Sequence, residues 1–215
     1  MSLFSHHSRS SSSGLTRGFT LIELMAVAAI MIIITTVVLF RQTKFNSSTV
    51  LRSLAYSVAL SARQAQVYGT SVYASGASFA SAYGLYFDSS LKKSYILFSD
   101  LNGNGHYDVG EDVRVFSLSP SFNLSAFCLV NGANKVCSTN TLDSSGTARI
   151  DVLNVLFKRP NPDAQFYASL AGTPLGSFSF TNAYVQIQAS DTTTRSITVS
   201  ITGQIVVNPA IGTLP

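Results

Sequence analysis

The stretch 17-RGFTLIELMAVAAIMIIITTVVLF-40 decides how the rest of the chain is read. Residues 19–40 are apolar except for Thr20, Glu23, Thr35 and Thr36, and Glu23 is their only charge. As a helix this segment is about 33 Å long at 1.5 Å per residue, enough to cross a hydrocarbon core of about 30 Å. An acid in the bilayer centre costs on the order of 2.5–3.5 kcal/mol on insertion scales and less near the end of a span, so Glu23 calls for a reason.

Three readings compete. A cleaved secretory signal has a shorter apolar core that ends at a small-residue site. Ala26-Val27-Ala28 fits such a site, but it lies inside the run, with Ile30 to Ile34 still beyond it. A plain membrane anchor leaves the acid unexplained. The third reading explains it. If the chain is cut between Gly18 and Phe19, a new α-amino group appears at Phe19, four positions before Glu23 on the same helix face. The carboxylate then pairs with its own amine or with that of a neighbouring subunit. Only the second pairing favours docking beside another chain.

The heptad Gly18-Phe19-Thr20-Leu21-Ile22-Glu23-Leu24 ahead of an apolar helix resembles the processing motif of type IV prepilins and type II secretion pseudopilins. The resemblance implies cleavage after Gly18 by a membrane prepilin peptidase, N-methylation of Phe19 and subunit contacts through Glu23. It also implies the orientation: a single pass through a bacterial inner membrane, the C-terminal domain outside the cytoplasm, and a cell-surface or periplasmic filament after assembly. Lys/Arg counts do not decide this, since Arg9 and Arg17 precede the run while Arg41 and Lys44 follow it. The leader 1–18 is Ser-rich and reads as disordered. His6 and His7 within it have no third ligand in the segment and read as solvated tail residues.

The chain has 215 residues, which suggests one modest domain plus extras. Charged residues make up only 11%, so Ser, Thr, Asn and Gly supply much of the polarity, as suits an exported or assembled protein. The net charge of +4 owes two bases to the acid-free leader, and the remainder is nearly balanced. The pI therefore gives no general nucleic-acid footprint. Cys128 and Cys137 are the two cysteines, with eight residues between them and no C-x-x-C or zinc spacing. In an oxidising compartment they pair, and closing so short a loop contributes roughly 2–3 kcal/mol in the chain-entropy model. In a reducing cell they are two buried thiols.

Beyond Phe40 the chain turns polar but keeps helical spacing. Leu51, Leu54, Ala55, Val58, Ala62 and Ala65 recur at three- and four-residue steps and form one stripe. Gly69 reads as the stop, so the helix extends to about Tyr68, some 50 residues and about 75 Å in all. Asn46-Ser47-Ser48-Thr49 is a weak point of poor helix formers. The segment 54-LAYSVALSARQAQVYGTSV-72 is similar to the equivalent part of H-type pseudopilins and FimT-like minor pilins.

From Thr70 onward β-branched and aromatic runs broken by Gly, Asn, Asp, Ser and Pro predict strands. They fall at Ser71–Ala74, Tyr83–Phe87, Ser94–Phe98, Val113–Leu118, Phe127–Val130, Ala148–Phe157, Ala183–Gln188, Ser196–Ile201 and Gln204–Val207. Thr202-Gly203 joins the last pair as a hairpin, and the 158–165 stretch KRPNPDAQ reads as a loop. The fold class is α+β. A long N-terminal helix, membrane-spanning in its first half, packs on a C-terminal antiparallel β-domain in the pilin-like arrangement. The predicted plan is a leader (1–18), a transmembrane and assembly helix (19–40), an amphipathic continuation (41–69) and a β-rich globular domain (70–215).

The segment 100-DLNGNGHYDVGED-112 fits the twelve-residue calcium loop D-x-[DN]-x-[DN]-G-x5-E without a gap. Asp100, Asn102 and Asn104 offer side-chain oxygens at positions 1, 3 and 5. Gly105 sits where the loop turns sharply, His106 gives its backbone carbonyl, Asp108 takes position 9 and Glu111 is bidentate at position 12. Tyr107 occupies position 8, a slot that is usually apolar. Strand-like flanks make this an EF-like loop on a hairpin, holding a structural Ca2+, with modest affinity in the range of extracellular modules, roughly 10⁻⁴–10⁻³ M. The competing reading is an Asn/Gly/Asp turn chosen for positive φ and solubility.

Catalytic signatures are thin. Ser89-Ser90-Leu91-Lys92 matches S-x-x-K without its companion motifs, and G-x-S-x-G, Walker and H-E-x-x-H patterns do not occur, so no enzyme is expected. The expected function is a minor pseudopilin or minor pilin, whose partners are other pilin-like subunits, prepilin peptidase and the inner membrane. One alternative is a DNA-binding minor pilin. Arg149, Lys158, Arg159 and Arg195 stand against Asp151, Asp163 and Asp191 after Ser145, and that balance disfavours it. The other alternative is a calcium-dependent adhesin anchored by a pilin-type helix.

Overall fold

The structure, a computed structural model, describes residues 18–71, 81–132, 134–138, 149–175 and 179–208, with the backbone alone at 40–46 and 134. The leader up to Arg17, the expected strand beyond Ser71 and the Ala148 end of another expected strand lie outside these residues. The chain divides into two units, residues 1–43 and 44–215. A single helix, α1 (Leu21–Thr70), contributes to both.

In the first unit Thr20 caps α1. Its Oγ1 accepts the Glu23 N–H at 3.3 Å, and its carbonyl accepts Glu23 N–H and Leu24 N–H at 3.1 and 3.2 Å. Thr20 and Glu23 thus occupy the first and last positions of a T-x-x-E capping box, where an acid also complements the positive helix end. Sequence reasoning assigned Glu23 no such local role. Leu21–Leu39 is long and apolar enough to cross a membrane, and its side chains are exposed. Its two mid-helix hydroxyls are satisfied internally: Thr35 Oγ1 donates to the Met31 carbonyl at 2.5 Å and Thr36 Oγ1 to that of Ile32 at 2.7 Å. A segment of this kind is compatible with a membrane anchor or a signal sequence.

In the second unit the rest of α1 is followed, among the described residues, by eleven strands: β1 (Ala82–Asp88), β2 (Ser94–Asp100), β3 (Asp112–Ser117), β4 (Phe122–Asn131), β5 (Asn134–Cys137), β6 (Val152–Phe157), β7 (Ala164–Leu170), β8 (Thr173–Pro174), β9 (Asn182–Ala189), β10 (Thr194–Ser200) and β11 (Ile205–Asn208). They form two sheets, ordered β3-β2-β1-β6-β7-β8 and β11-β10-β9-β4-β5. Every pairing between these strands is antiparallel, and an isolated parallel bridge joins Cys137 to Arg149. The architecture is therefore α+β. Sequence reasoning missed β5, β7 and β8 and began β4 five residues late. Phe122 and Leu124 face the core, then a register shift between Leu124 and Ala126 brings Phe127 and Leu129 to the same side. That bulge breaks the period-2 pattern by which the strand would be recognised.

The helical stripe fills the core. Leu51, Ala55, Val58, Ala62 and Ala65 share one buried cluster with Leu85, Leu97, Val155 and Phe157 of the first sheet and with Phe127, Val185, Ile187 and Ile197 of the second. Polar groups fasten the seam. Ser61 Oγ lies 3.0 Å from Tyr95 Oη. The buried Gln66 amide donates to the Pro162 carbonyl at 2.9 Å and to the Gly203 carbonyl at 3.0 Å, linking α1 to a loop of each sheet. Gly203, with φ of 78°, makes the β10–β11 turn, and a side chain there would run into the same Pro162 and Gln66 atoms.

The expected stop at Gly69 is corrected. The helix runs on to Thr70, and Ser71 N–H still bonds the Val67 carbonyl at 2.9 Å. Gly69 serves close packing instead: a Cβ there would overlap the Phe157 carbonyl oxygen, a backbone atom that cannot swing away. Gly69→Ala is therefore expected to lower stability by about 1–3 kcal/mol through overpacking, about 2–4 °C in Tm per kcal/mol at this domain size. Thermal melts of the full chain in detergent check this, and an unchanged melt would show that the approach can relax.

Candidate functional site

Residues 101–111 connect β2 to β3, and all six expected calcium-loop residues lie in this connection or at its edge. Asp100 ends β2 and is buried. Its Oδ1 accepts the Gly103 N–H at 2.7 Å and its Oδ2 the Gly105 N–H at 3.1 Å. Glu111, also buried, closes the other end: Oε1 accepts Leu101 N–H at 2.9 Å and Oε2 accepts Asp108 N–H at 3.0 Å. Asn102 Oδ1 accepts Asn104 N–H at 3.0 Å, and Asn104 Oδ1 accepts His106 N–H at 2.6 Å, two successive Asx turns. Both carboxamide nitrogens converge on Asp108 Oδ2, at 2.7 and 2.8 Å. Those donors, Asn102 first and then Asn104, hold the exposed Asp108 carboxyl below its ordinary range.

The carboxylates and amides that would ligate a cation are thus together, but they satisfy one another. The amide nitrogens, not the oxygens, face Asp108. A half turn of each carboxamide exchanges the two at nearly unchanged shape, at the cost of the Asx-turn bonds. Among the described residues no group of three or more His, Cys, Asp or Glu is placed to hold a metal ion.

Sequence reasoning missed what the loop rests on. The outer face of the first sheet carries a second apolar cluster of Ala82, Ile96, Phe98 and Leu156, with Tyr86, Tyr107 and Tyr167 packed against it. Tyr107 drops onto this face, its ring 4.7 Å from that of Tyr86 and 5.7 Å from that of Phe98. Its phenol is pushed up, first by burial and then by Asp112 and Glu111. Beside it the His106 ring meets the edge of Tyr167 at 5.6 Å, and Nδ1 lies 3.4 Å from Asn154 Nδ2. Gly105, with φ of 80°, passes so close over Tyr167 that a Cβ would strike its ring. The polarity of His106 and Tyr107 hid this. The signal was on the sheet: Tyr83–Phe87 and Ser94–Phe98 are apolar on both faces, the mark of a strand covered twice.

Gly18 and Phe19 precede α1 and are exposed, as is Glu23 in its first turn. Cys128 and Cys137 are disulfide-bonded, directly opposite each other on β4 and β5 with Cα atoms 4.1 Å apart. Among the basic residues, Arg149 Nε lies 3.3 Å from Asp151. No protein-family model, curated protein or solved structure matches the chain.

Tyr107→Ala should loosen the loop, removing two aromatic contacts worth about 0.5–1.5 kcal/mol each beyond their area. The expected result is faster amide hydrogen exchange at residues 101–111 with little change at β9 and β10. Uniform exchange changes across both sheets would show that the loop is not a separate unit.

Proposed function

We propose that this chain is a minor pseudopilin or minor pilin, a structural subunit of a secretion pseudopilus or pilus. The observation that carries the reading is an exposed apolar helix directly behind the Gly18–Leu24 heptad, with the polar continuation of α1 buried against an antiparallel β-domain. Prepilin peptidase cuts between Gly18 and Phe19, and Phe19 is N-methylated. The inner membrane holds the subunit by residues 19–40 until it joins other pilin-like subunits. Glu23 then faces the Phe19 amine of a neighbour. In lipid that pairing is favoured because the alternative is an unpaired carboxylate. The capping geometry fits the same role, since the first turn of α1 holds Glu23 at the helix end where the amine arrives. No catalytic role is proposed.

Two measurements test this. The mature protein should begin at Phe19 by N-terminal mass analysis, and Gly18→Asp should leave the leader attached. Glu23→Ala should insert into the membrane at the normal level but enter filaments at a small fraction of the wild-type yield. Wild-type incorporation would remove the Glu23 pairing, and an uncut leader on the wild-type chain would remove the whole reading.

A second reading is favoured by two buried carboxylates, Asp100 and Glu111, at the ends of one loop. In it a structural Ca2+ binds Asp100, Asn102, Asn104, Asp108 and Glu111 with the His106 carbonyl, after the carboxamides turn over. The ion pins the loop against the sheet. With a Kd of roughly 10⁻⁴–10⁻³ M, about 10 mM calcium should then stabilise the fold by about 1.4–2.7 kcal/mol. Titration calorimetry and melts with millimolar calcium against chelator read this out, and neither heat nor a shift would leave a plain turn.

A further inference from the structure

Residues 102–105 read Asn-Gly-Asn-Gly, and both asparagines are exposed to water. An Asn–Gly step is chemically fragile. The deprotonated glycine nitrogen attacks the Asn Cγ, and a bond forms between them as the Cγ–Nδ2 bond breaks. Nδ2 leaves as ammonia, gaining through the solvent the one proton that the glycine amide has lost. One water then opens the succinimide ring to an aspartate or its β-linked isomer. Glycine permits this most readily because it has no Cβ to shield the nitrogen or restrict φ.

Here both attacking nitrogens are already engaged by one acceptor. Gly103 N–H donates to Asp100 Oδ1 at 2.7 Å and Gly105 N–H to Asp100 Oδ2 at 3.1 Å. Asp100 is only 5% exposed, so its charge acts through protein more than through water. Removing an amide proton beside that carboxylate would place two negative charges in contact in a medium that screens them poorly. The electrophile is held as well. Each Asn Oδ1 takes the N–H two residues on, at 3.0 and 2.6 Å, and each Nδ2 is bound to Asp108 at 2.7 and 2.8 Å.

We propose that Asn102 and Asn104 are two latent deamidation sites and that Asp100 is the positioning residue that keeps both closed while the loop is folded. Loop opening frees the two nitrogens together, so the reaction records how often residues 101–111 leave the sheet. Each event adds a carboxylate and removes one of the amide donors to Asp108. After both, the three carboxylates Asp100, Asp108 and Glu111 are joined by two more, and the mutual satisfaction of the loop is lost. This consequence bears on the cation reading above, but the protection does not depend on it.

The test uses the full chain in detergent with chelator, so that calcium plays no part. It is incubated at mildly alkaline pH, and the peptide containing residues 102–105 is followed by mass spectrometry for amide-to-acid conversion. In the folded wild type, conversion should be at least about tenfold slower than in the same chain in guanidinium, because only the open loop reacts. Asp100→Ala should react several-fold faster than folded wild type but short of the unfolded rate, because Asp108 still holds both carboxamides. Asp100→Asn, which keeps the shape but not the charge, should fall between wild type and Asp100→Ala. Asp163→Ala, remote in sequence from the loop, should behave as wild type. Near-ultraviolet circular dichroism identifies the folded pool, and if Asp100→Ala fails to fold, the Asp100→Asn rate decides. Folded wild type reacting within about twofold of the unfolded chain would overturn the proposal. So would a folded Asp100 variant that reacts no faster than wild type.

Discussion

The β-domain depends on how closely one helix approaches two sheets. Ala55, Ala62 and Ala65 are small enough to bring the α1 backbone near, and Gly69 continues that face to the point where no Cβ fits beside the Phe157 carbonyl. Close approach excludes water and leaves no room for unsatisfied groups, so the polar residues on this face must be paired. Ser61 and Gln66 are, the first with Tyr95 and the second with Pro162 and Gly203. Interiors packed at crystal density make such positions intolerant of even one added methyl group. The alanine and glycine content of residues 55–69 is thus a record of interhelix–sheet distance rather than of helix propensity alone.

Much of this seam was legible in the sequence because it follows a 3.6-residue period. Leu51, Leu54, Ala55, Val58, Ala62 and Ala65 were picked out by spacing; the structure buries five of them and leaves Leu54 half-buried against the same cluster. Strands with clean alternation, such as Val185 and Ile187 or Ile197 and Val199, were equally readable. Those that escaped lack that signal for definite reasons. β7 carries Ala, Gln and Ser and begins inside a Pro-rich loop. β5 has four residues and takes its place opposite Cys128. β4 changes its inward parity at a bulge. Gly69 was legible as a special position but not for its reason: a helix stop and a close contact look alike when only the residue type is visible.

The connection from β2 to β3 shows a further limit. Its ligand-type residues were read from spacing, and the structure brings them together, yet with amide nitrogens turned inward and every carboxylate engaged by backbone or amide N–H groups. Spacing determines which side chains meet. It does not determine which atom of a carboxamide faces the centre, because oxygen and nitrogen are nearly equivalent in shape. The apolar underside of the loop was hidden for a related reason. Tyr107 and His106 present polar tips to a sequence reader, but in the fold they present rings to Tyr86, Phe98 and Tyr167.

The strand order has a consequence in time. β1 pairs with β6, and β4 pairs with β9, so each sheet joins segments that are far apart in the chain. β9 stands at the centre of the second sheet, with β10 and β11 on one side and β4 and β5 on the other. A chain delivered from its N-terminus can close the β1–β2 and β4–β5 hairpins early, but β4 keeps an open edge until Asn182–Ala189 arrives. Pairing between such distant segments is slow, and exposed strand edges invite mispairing meanwhile. The covalent tie between Cys128 and Cys137 falls on that hairpin and fixes the register of β4 against β5.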